Sequence, residues 1–267
     1  MDVVEQVAAA AVDVTSFITA SEASYQAKKT ATLLKTLTIN ALIMGEVGVG
    51  KKSLATFILP DASVIDASNF EELLISLESS REIIITDIDN SPNIQRLVDT
   101  IKRYSVRVVA TSKQSFTNEH IDDIFSIKFD IPPLKDRLED VKLLVEKFAK
   151  EASSLFGGDE VFNIENFTPD LSKNSRSLKR QVMMNYLLQD IKDTELIDII
   201  ENYLYNKLGS NSDYRNFLYL YEVPLIRAGL DKFKSQLQLS DRLGLNRNTL
   251  RKKIADNKQY LQGKNNE

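Results

Sequence analysis

A glycine-rich loop between a predicted buried strand and a predicted helix constrains the fold of this chain more than any other feature. Residues 36–44 are a β-branched, apolar run, and residues 45–53 read G-E-V-G-V-G-K-K-S. This order fits the G-x-x-x-x-G-K pattern of a phosphate loop, in which backbone amides surround the phosphates and the lysine reaches the terminal ones. The pattern predicts nucleotide contacts from Gly45, Glu46, Val47, Gly48, Val49, Gly50, Lys51 and Lys52.

One position of the loop departs from the common pattern. The residue after the lysine normally carries a hydroxyl for magnesium, and here it is Lys52. Ser53 follows one residue later, about 100° further around the helix, which is the wrong placement for that ligand. The alternative interpretation is a strand–helix turn whose glycines allow close packing and bind no phosphate, and the residues alone leave both interpretations open.

Strands and helices alternate through the first half of the chain, which predicts an α/β fold with a parallel sheet and helices on both faces. Residues 1–20 are predicted to be helical. Short apolar runs predict further strands at 62–66, 81–87, 106–111 and 124–131, and helical patterns fall at 51–57, 69–78 and 93–104. After Pro132 and Pro133 the strands stop, and helices are predicted over 138–156, 177–190 and on to about 207.

These patterns divide the chain into three predicted domains. An α/β domain with the phosphate loop covers 1–133, a helical lid covers 134–208, and a small all-α domain covers 209–267. The last boundary rests on a polar linker at 209–212.

Composition excludes several classes of protein. The 267 residues include no cysteine and one histidine, His120, so neither a disulfide framework nor a thiolate metal site is expected. No apolar run approaches the ~20 residues of a membrane span, and we expect a cytoplasmic protein.

Charge is distributed unevenly along the chain. Net charge is −4, but residues 227–258 hold nine Lys or Arg against three Asp, a local charge of +6 that leaves −10 for the rest. This asymmetry predicts an acidic body with a basic nucleic-acid-binding segment. A solvated helix face is the alternative.

The basic segment has the pattern of a helix-turn-helix. A short helix over 234–243 is followed by Gly244 as its stop, and Asn246 is placed to cap a second helix over 247–257. Leu250 and Ile254 would face the core. The second helix predicts double-stranded DNA contacts from Asn246, Arg247, Asn248, Thr249, Arg251, Lys252 and Lys253. The alternative is a basic amphipathic tail that packs on an acidic partner.

Two resemblances follow from these motifs. The run L-G-L-N-R-N-T-L-R-K-K-I at 243–254 resembles the L-G-I-N-R-x-T-L-R-K-K-L signature of Fis-type domains. The phosphate loop resembles G-E-S-G-T-G-K-E of the AAA+ domain in NtrC-type enhancer-binding proteins, the activators of sigma-54 RNA polymerase, where a hydroxyl after the lysine is also absent. Four further stretches resemble that domain from about residue 16 onward: 17–21, 106–111 (sensor I), 131–141 (entry to the lid) and 173–178 (sensor II).

The resemblance implies an AAA+-like fold that binds ATP or ADP, with Arg176 as the nucleotide-sensing arginine. It also implies a Fis-type domain that dimerises through the helix pair at about 213–234, and RNA polymerase or a related regulator as a partner. In the Fis-type part, Leu239 and Ser240 stand where the family usually has two small residues.

Departures at the catalytic positions predict a defective ATPase. The Asp-Glu pair of Walker B is matched by Thr86 and Asp87, which leaves Asp87 as the candidate nucleotide-site carboxylate and Mg²⁺ binding open. The sensor I asparagine is matched by Lys113, and the paired arginines that act across a subunit boundary fall near Asp122 and Asp123. Carboxylates cannot replace arginine fingers, which contribute roughly 10³–10⁵ in rate in related systems, so no catalytic residue is predicted.

A missing surface loop bears on function as well. The family carries a G-A-F-T-G-A loop that grips the sigma factor, and residues 51–87 contain no such sequence and are too short to hold it. We therefore expect a dimeric, sequence-specific DNA-binding transcription regulator that senses nucleotide and does not itself activate sigma-54 polymerase. The alternatives are an active ATP-hydrolysing sigma-54-dependent activator and a protein-interaction regulator whose DNA binding is secondary.

Overall fold

The computed structural model describes residues 17–157 and 167–261. Of the helix predicted over 1–20, residues 1–16 lie outside the described residues, and residues 17–20 are not helical. The chain divides into two compact units, Met1–Asp190 and Ile191–Glu267. Within the described parts, none of the helices has the length and apolar character needed to cross a membrane.

The first unit is built on a five-stranded parallel sheet, as predicted. Its strands are β1 (Ala41–Met44), β2 (Ser63–Asp66), β3 (Glu82–Thr86), β4 (Arg107–Ser112) and β5 (Ile127–Asp130), in the spatial order β2-β3-β4-β1-β5. The run Ile83, Ile84 and Ile85 is fully buried, as expected for a parallel strand covered on both faces. The predicted strand over 36–44 begins only at Ala41, because Thr36 ends a helix instead.

Helices cover both faces of this sheet. They are α1 (Glu22–Lys35), α2 (Lys51–Ile58), α3 (Phe70–Ser79), α4 (Ile94–Tyr104) and the short α5 (Glu119–Asp122). Side chains alternate along β3, so that Ile83 and Ile85 join a core with α3 and α4 whereas Ile84 joins a core with α1 and α2. The sequence analysis placed helix before residue 20 and missed α1, which begins after Ser21 accepts a hydrogen bond from the Ser24 amide.

Two longer helices complete the first unit, at the predicted position of the lid. They are α6 (Leu138–Phe156) and α7 (Ser175–Leu188), and they pack through their own core, which includes Val145, Phe148 and Val182.

The second unit contains helices and no strand among its described residues. Its elements are α8 (Asp193–Tyr205), α9 (Asp213–Phe217), α10 (Tyr219–Phe233), α11 (Gln236–Arg242), α12 (Arg247–Asp256) and α13 (Lys258–Leu261). This division differs from the predicted boundary at 208/209, since α8 lies on the C-terminal side. The physical reason is that apolar side chains of α8 share a surface groove with α9 and α10.

Apolar side chains on one face of α10 lie at the surface and not in the core. Tyr221 is 67% exposed and Leu225 is also exposed, whereas the buried face of α10 carries Val223, Ile226 and Gly229. Ile226 packs with Leu239 of α11 and Leu250 of α12 in the small core of this unit.

Two short helices joined by a turn, α11 and α12, lie close to where the sequence predicts them. Helix α11 begins later than expected, because Lys234 adopts a left-handed conformation and Ser235 provides the cap. Gly244 (φ 64°) lies in the turn, and the side chain of Asn246 caps α12 by accepting a hydrogen bond from the Asn248 amide at 2.9 Å.

The fit of Leu239 depends on a glycine in the facing helix. Leu239 is fully buried, and a Cβ added to Gly229 would lie 2.3 Å from its Cδ1 atom. Leu239 therefore fits against α10 because that helix has no side chain at the contact.

We expect Gly229→Ala to lower the free energy of unfolding of the second unit by about 1–3 kcal/mol through overpacking. Leu239→Ala alone should cost about 2–5 kcal/mol through the cavity that it leaves, and the double variant should lose less than the sum of the two, since the added methyl group fills part of that space. Urea unfolding of the two single variants and the double variant measures the coupling, with Ala228→Ser on the exposed side of α10 as control. Additive losses would contradict this account.

Candidate nucleotide site and candidate DNA-binding helix

The phosphate loop, residues 45–51, joins β1 to α2 with three glycines in left-handed or extended positive-φ conformations. Their φ angles are 145° at Gly45, 83° at Gly48 and 105° at Gly50. No side chain caps the N-terminus of α2, and no acidic residue lies in its first turn. The first amides of a helix have no intrahelical acceptor, so this end keeps the positive potential that favours an anion.

Close packing also requires these three glycines. This agrees with the alternative interpretation of the loop as a strand–helix turn that binds no phosphate. A Cβ at Gly45 would lie 2.6 Å from the Ile131 carbonyl oxygen, and one at Gly48 would lie 2.4 Å from that of Lys173. At Gly50 it would meet the Phe17 ring at 2.7 Å. The loop therefore has the conformation of a phosphate loop, while each glycine has a structural role that needs no ligand.

Lys51 is buried against its own loop. Its Nζ donates hydrogen bonds to the carbonyl oxygens of Gly45 at 2.5 Å and Glu46 at 3.0 Å. Burial lowers the pKa of Lys51, and the nearby carboxylates of Asp87 and Asp89 partly oppose that shift. A phosphate bound by Lys51 would take the place of these two carbonyl oxygens.

The structure places Asp87 at the edge of the sheet beside the loop. Asp87 follows β3 in a left-handed conformation (φ 48°), and its amide donates to the Thr111 hydroxyl. Thr86, at the first Walker B position, uses its hydroxyl within the sheet, where it hydrogen-bonds to Ile65 and Asp66. Asp87 is therefore the carboxylate available at this position.

Lys113 follows β4 at the same edge, at the sensor I position. Its Nζ lies 2.9 Å from a carboxylate oxygen of Asp89, and this pair raises the pKa of Lys113. Asp89 was not among the predicted site residues. The contact could not be foreseen from spacing, because 24 residues separate the two partners and a short helical turn positions Asp89.

Arg176 is the second residue of α7, and its side chain is exposed. Its charge acts on Lys51 and lowers the pKa of that lysine, so the predicted sensing arginine lies close enough to the phosphate loop to influence its electrostatics.

Asn174 is a site residue that the sequence analysis named only within a motif. Its Oδ1 accepts from the Leu134 amide at 2.7 Å, and its Nδ2 donates to a Glu46 carboxylate oxygen and to the Val47 carbonyl, both at 3.0 Å. Ser175 adds two hydrogen bonds to the Gly48 carbonyl oxygen. The start of α7 is thus tied directly to the phosphate loop.

A buried ion pair between Arg137 and Asp140 supports the loop from the other side. Arg137 donates to the Val49 carbonyl at 2.9 Å, and Asp140 accepts from the amides of Ala20 and Ser21. A charged pair at i and i+3, at the start of an apolar helix, was the signal that could have marked them. Beside them lies a cavity of about 220 Å³ lined in part by Phe17, Gly50 and Phe148.

The two aspartates at the positions matched to arginine fingers each have a lysine partner within the chain. Asp122 forms an ion pair with Lys128, and Asp123 lies 3.6 Å from Lys102. The positions matched to arginine fingers therefore carry carboxylates with partners of their own.

The donor set around the loop does not fit a divalent cation. Mg²⁺ requires oxygen ligands in octahedral geometry, usually one or two free carboxylates together with phosphate oxygens and water. Here Lys52 occupies the hydroxyl position, the Thr86 hydroxyl is used within the sheet, and Asp89 is paired with Lys113. In the described parts of the chain, no three His, Asp or Glu side chains group as metal ligands.

The candidate DNA-binding helix is α12. Leu250 holds it to the core, and the predicted contact residues that lie exposed on it are Arg247, Asn248, Thr249, Arg251 and Lys252. Asn246 is committed to capping. Lys253 differs from the other predicted contacts, because it forms an ion pair with the largely buried Glu222 of α10.

Comparison with known sequences finds similarity to the transcriptional regulator NtrC of two bacteria. No protein-family model matches the sequence. The chain is 26% identical over 205 residues to the DNA-binding transcriptional regulator NtrC of Rhizobium meliloti, covering 58% of this chain and 42% of that protein. It is 30% identical over 165 residues to NtrC of Azospirillum brasilense, covering 47% and 34%. The chain thus spans less than half the length of these curated relatives.

Solved structures show the fold. NtrX from Brucella abortus in complex with ADP superposes with a TM-score of 0.54 at 17% identity, covering 92% of this chain and 70% of that one. The same protein in complex with ATP gives 0.53, also at 17% identity, with 90% and 68% covered. Together with the parallel sheet and phosphate loop, this similarity identifies an AAA+-like α/β fold in a chain similar to NtrC regulators.

Proposed function

We propose that this chain is a DNA-binding transcription regulator whose AAA+-like unit binds ADP or ATP without turning it over. The observation that carries the proposal is α12, a capped helix that presents a continuous polar and basic surface behind a glycine-containing turn. A helix of this kind reads base edges in the major groove with its first residues while neighbouring cations hold phosphates. The matched NtrC relatives are described as DNA-binding transcriptional regulators, which supports the same role here.

Sequence specificity requires side chains that can read bases as well as charge. Arg251 can pair with guanine in a bidentate manner, and Asn248 can pair with adenine, whereas Lys252 is suited to phosphate. All three are exposed. The set therefore supports recognition of a defined sequence in double-stranded DNA.

Nucleotide binding is supported by the uncapped N-terminus of α2, the glycine geometry and Lys51. The similar structures of NtrX were obtained with ADP and with ATP. Absence of turnover is supported by Lys113, Asp122 and Asp123 at the positions where catalytic groups are expected. Asp122 and Asp123 are negatively charged, so they cannot stabilise the charge that develops during phosphoryl transfer in the way that arginine fingers do.

A lost surface loop supports a role that does not include driving the sigma-54 polymerase. Between Lys51 and Asp87 the elements α2, β2, α3 and β3 are joined by connections of four, three and two residues. The alignment with the Rhizobium meliloti protein extends over 205 residues but takes in 58% of this 267-residue chain, or about 155 residues. About 50 positions of that relative therefore have no counterpart here.

A second copy of the chain is the proposed partner of an apolar groove on the second unit. The groove has a volume of about 620 Å³ and is lined almost entirely by apolar side chains of α8, α9 and α10, among them Ile200, Phe217 and Tyr221. Extended apolar surfaces of this kind mark interaction sites. A two-fold contact matches a dimer to the two halves of a pseudo-palindromic site.

Two other functions remain as alternatives, and each would give a different experimental result. An active sigma-54-dependent ATPase would release phosphate and drive open-complex formation. A protein-interaction regulator would use the groove for a different protein and bind DNA without sequence preference.

We expect Arg251→Ala to cost about 1–3 kcal/mol of DNA-binding free energy and to relax sequence preference at one position. Lys252→Ala should weaken binding to all sequences and reduce the salt slope by about 1. Lys253→Ala should instead lower the melting temperature of the second unit, because Glu222 would lose its partner. Fluorescence anisotropy across a salt series measures the first two effects. Lys135→Ala on the first unit is the control, and equal losses from all four variants would contradict the proposal.

We expect Ile200→Glu to convert a dimer to a monomer, since a carboxylate in an apolar contact is strongly unfavourable without a partner. Ile75→Glu is the matched control, because Ile75 is exposed on α3 of the other unit. Light scattering gives the mass of each variant with and without ATP. A hexamer in the presence of ATP, or a dimer that survives Ile200→Glu, would contradict this assignment.

We expect ATP and ADP to raise the melting temperature of the first unit, by an amount that corresponds to about 2.7 kcal/mol at 100 times the dissociation constant. Lys51→Ala should abolish the rise, whereas Lys29→Ala, an exposed lysine on α1, should leave it unchanged. A phosphate-release assay on the same samples should stay at background. Steady release by the wild-type protein would support the active ATPase instead.

A further inference from the structure

The Lys113–Asp89 pair lies beside the phosphate loop and rests on a buried carboxylate. Met44, which precedes the loop, pairs with Ser112 in the sheet, so Lys113 follows directly at the level of Gly45. Asp89 accepts from the Lys113 amide at 3.3 Å as well as from its Nζ at 2.9 Å. The Asp89 side chain is 7% exposed and that of Lys113 is 57% exposed. An immobile carboxylate therefore holds an accessible ammonium group at the edge where phosphates would lie.

The carboxylates at this edge lie near lysine side chains, whose positive charges oppose the binding of a metal ion. Asp89 is paired with Lys113, and Asp87 lies close enough to Lys51 to raise the pKa of that lysine. A divalent cation would have to compete with both ammonium groups. The other positions that could ligate it, Thr86 and Lys52, carry a hydroxyl that is already hydrogen-bonded and a positive charge.

A lysine ammonium group can supply part of the positive charge that a metal ion would place beside the phosphates. It is a compact point charge with three donors, and Asp89 uses one of them, so the others remain for phosphate oxygens. Lys51, Lys113 and Arg176 against Asp87 and Asp89 leave one net positive charge around the loop. The N-terminus of α2 adds the equivalent of roughly half a charge.

We propose that this nucleotide site is metal-free, and that Lys113, fixed by Asp89, takes the place of the divalent cation beside the phosphates of ADP or ATP. The proposal rests on the nucleotide binding proposed above. It assigns to Lys113 a binding role that accounts for a lysine at a position where a catalytic asparagine is expected.

The test is calorimetric titration of the full chain with ATP and with ADP, in excess EDTA and in excess Mg²⁺. For the wild-type protein we expect dissociation constants that agree within about twofold between the two conditions. Lys113→Asn should weaken binding in EDTA by about tenfold or more, the effect of losing a charged hydrogen bond. Because Asp89 is then unpaired, Mg²⁺ should strengthen binding to this variant, which reverses the metal dependence. Lys113→Arg should keep metal-free binding.

Lys102→Asn is the matched control, since Lys102 is paired with Asp123, directly after α5, and the substitution removes the same charge. Its affinities should equal those of wild type, and melting temperatures without nucleotide check that each variant folds. Wild-type binding that requires Mg²⁺ would overturn the proposal and leave nucleotide binding intact. Metal-free binding that Lys113→Asn leaves unchanged would also overturn it. No binding in either condition would overturn nucleotide binding itself, and this proposal with it.

Discussion

The first unit depends on a buried ion pair between Arg137 and Asp140. The two side chains are almost fully buried, and isolated charges in such a position would be strongly unfavourable. They are stable because Asp140 accepts from Ala20 and Ser21 while Arg137 donates to the Val49 carbonyl. One pair thus joins the segment before α1, the phosphate loop and the start of α6. The conformation of the loop is fixed by protein contacts before any ligand arrives.

The lid reaches the same loop through Asn174 and Ser175, which hydrogen-bond to Val47 and Gly48. These contacts occupy carbonyl oxygens and leave the first amides of α2 without acceptors. An anion bound at those amides would therefore act on a loop whose other side is held by α7. Under the proposed nucleotide binding, occupancy of these amides would change the balance between loop and lid contacts without hydrolysis.

The sequence predicted those features of the fold that depend on local residue patterns. Buried apolar runs gave the strands, since a parallel strand is apolar on both faces, and Gly244 with Asn246 marked the turn and cap of α12. The residues that were missed act through distant contacts: Asn174 bonds to Val47, 127 positions away, and Asp89 to Lys113 across two strands. An exposed apolar stripe such as that of Tyr221 and Leu225 also does not reveal whether its partner lies in the same chain.

The positions where catalytic groups are expected share one property. Lys113, Asp122 and Asp123 each form an ion pair within the chain, with Asp89, Lys128 and Lys102 respectively. Exposed pairs contribute about 0–1 kcal/mol, so the pairs of Asp122 and Asp123 add little to stability. The Lys113 pair differs, because Asp89 is buried and would be unfavourable without a cation beside it. The buried carboxylate therefore favours a positive charge at this edge of the sheet, and in this chain the side chain of Lys113 provides it.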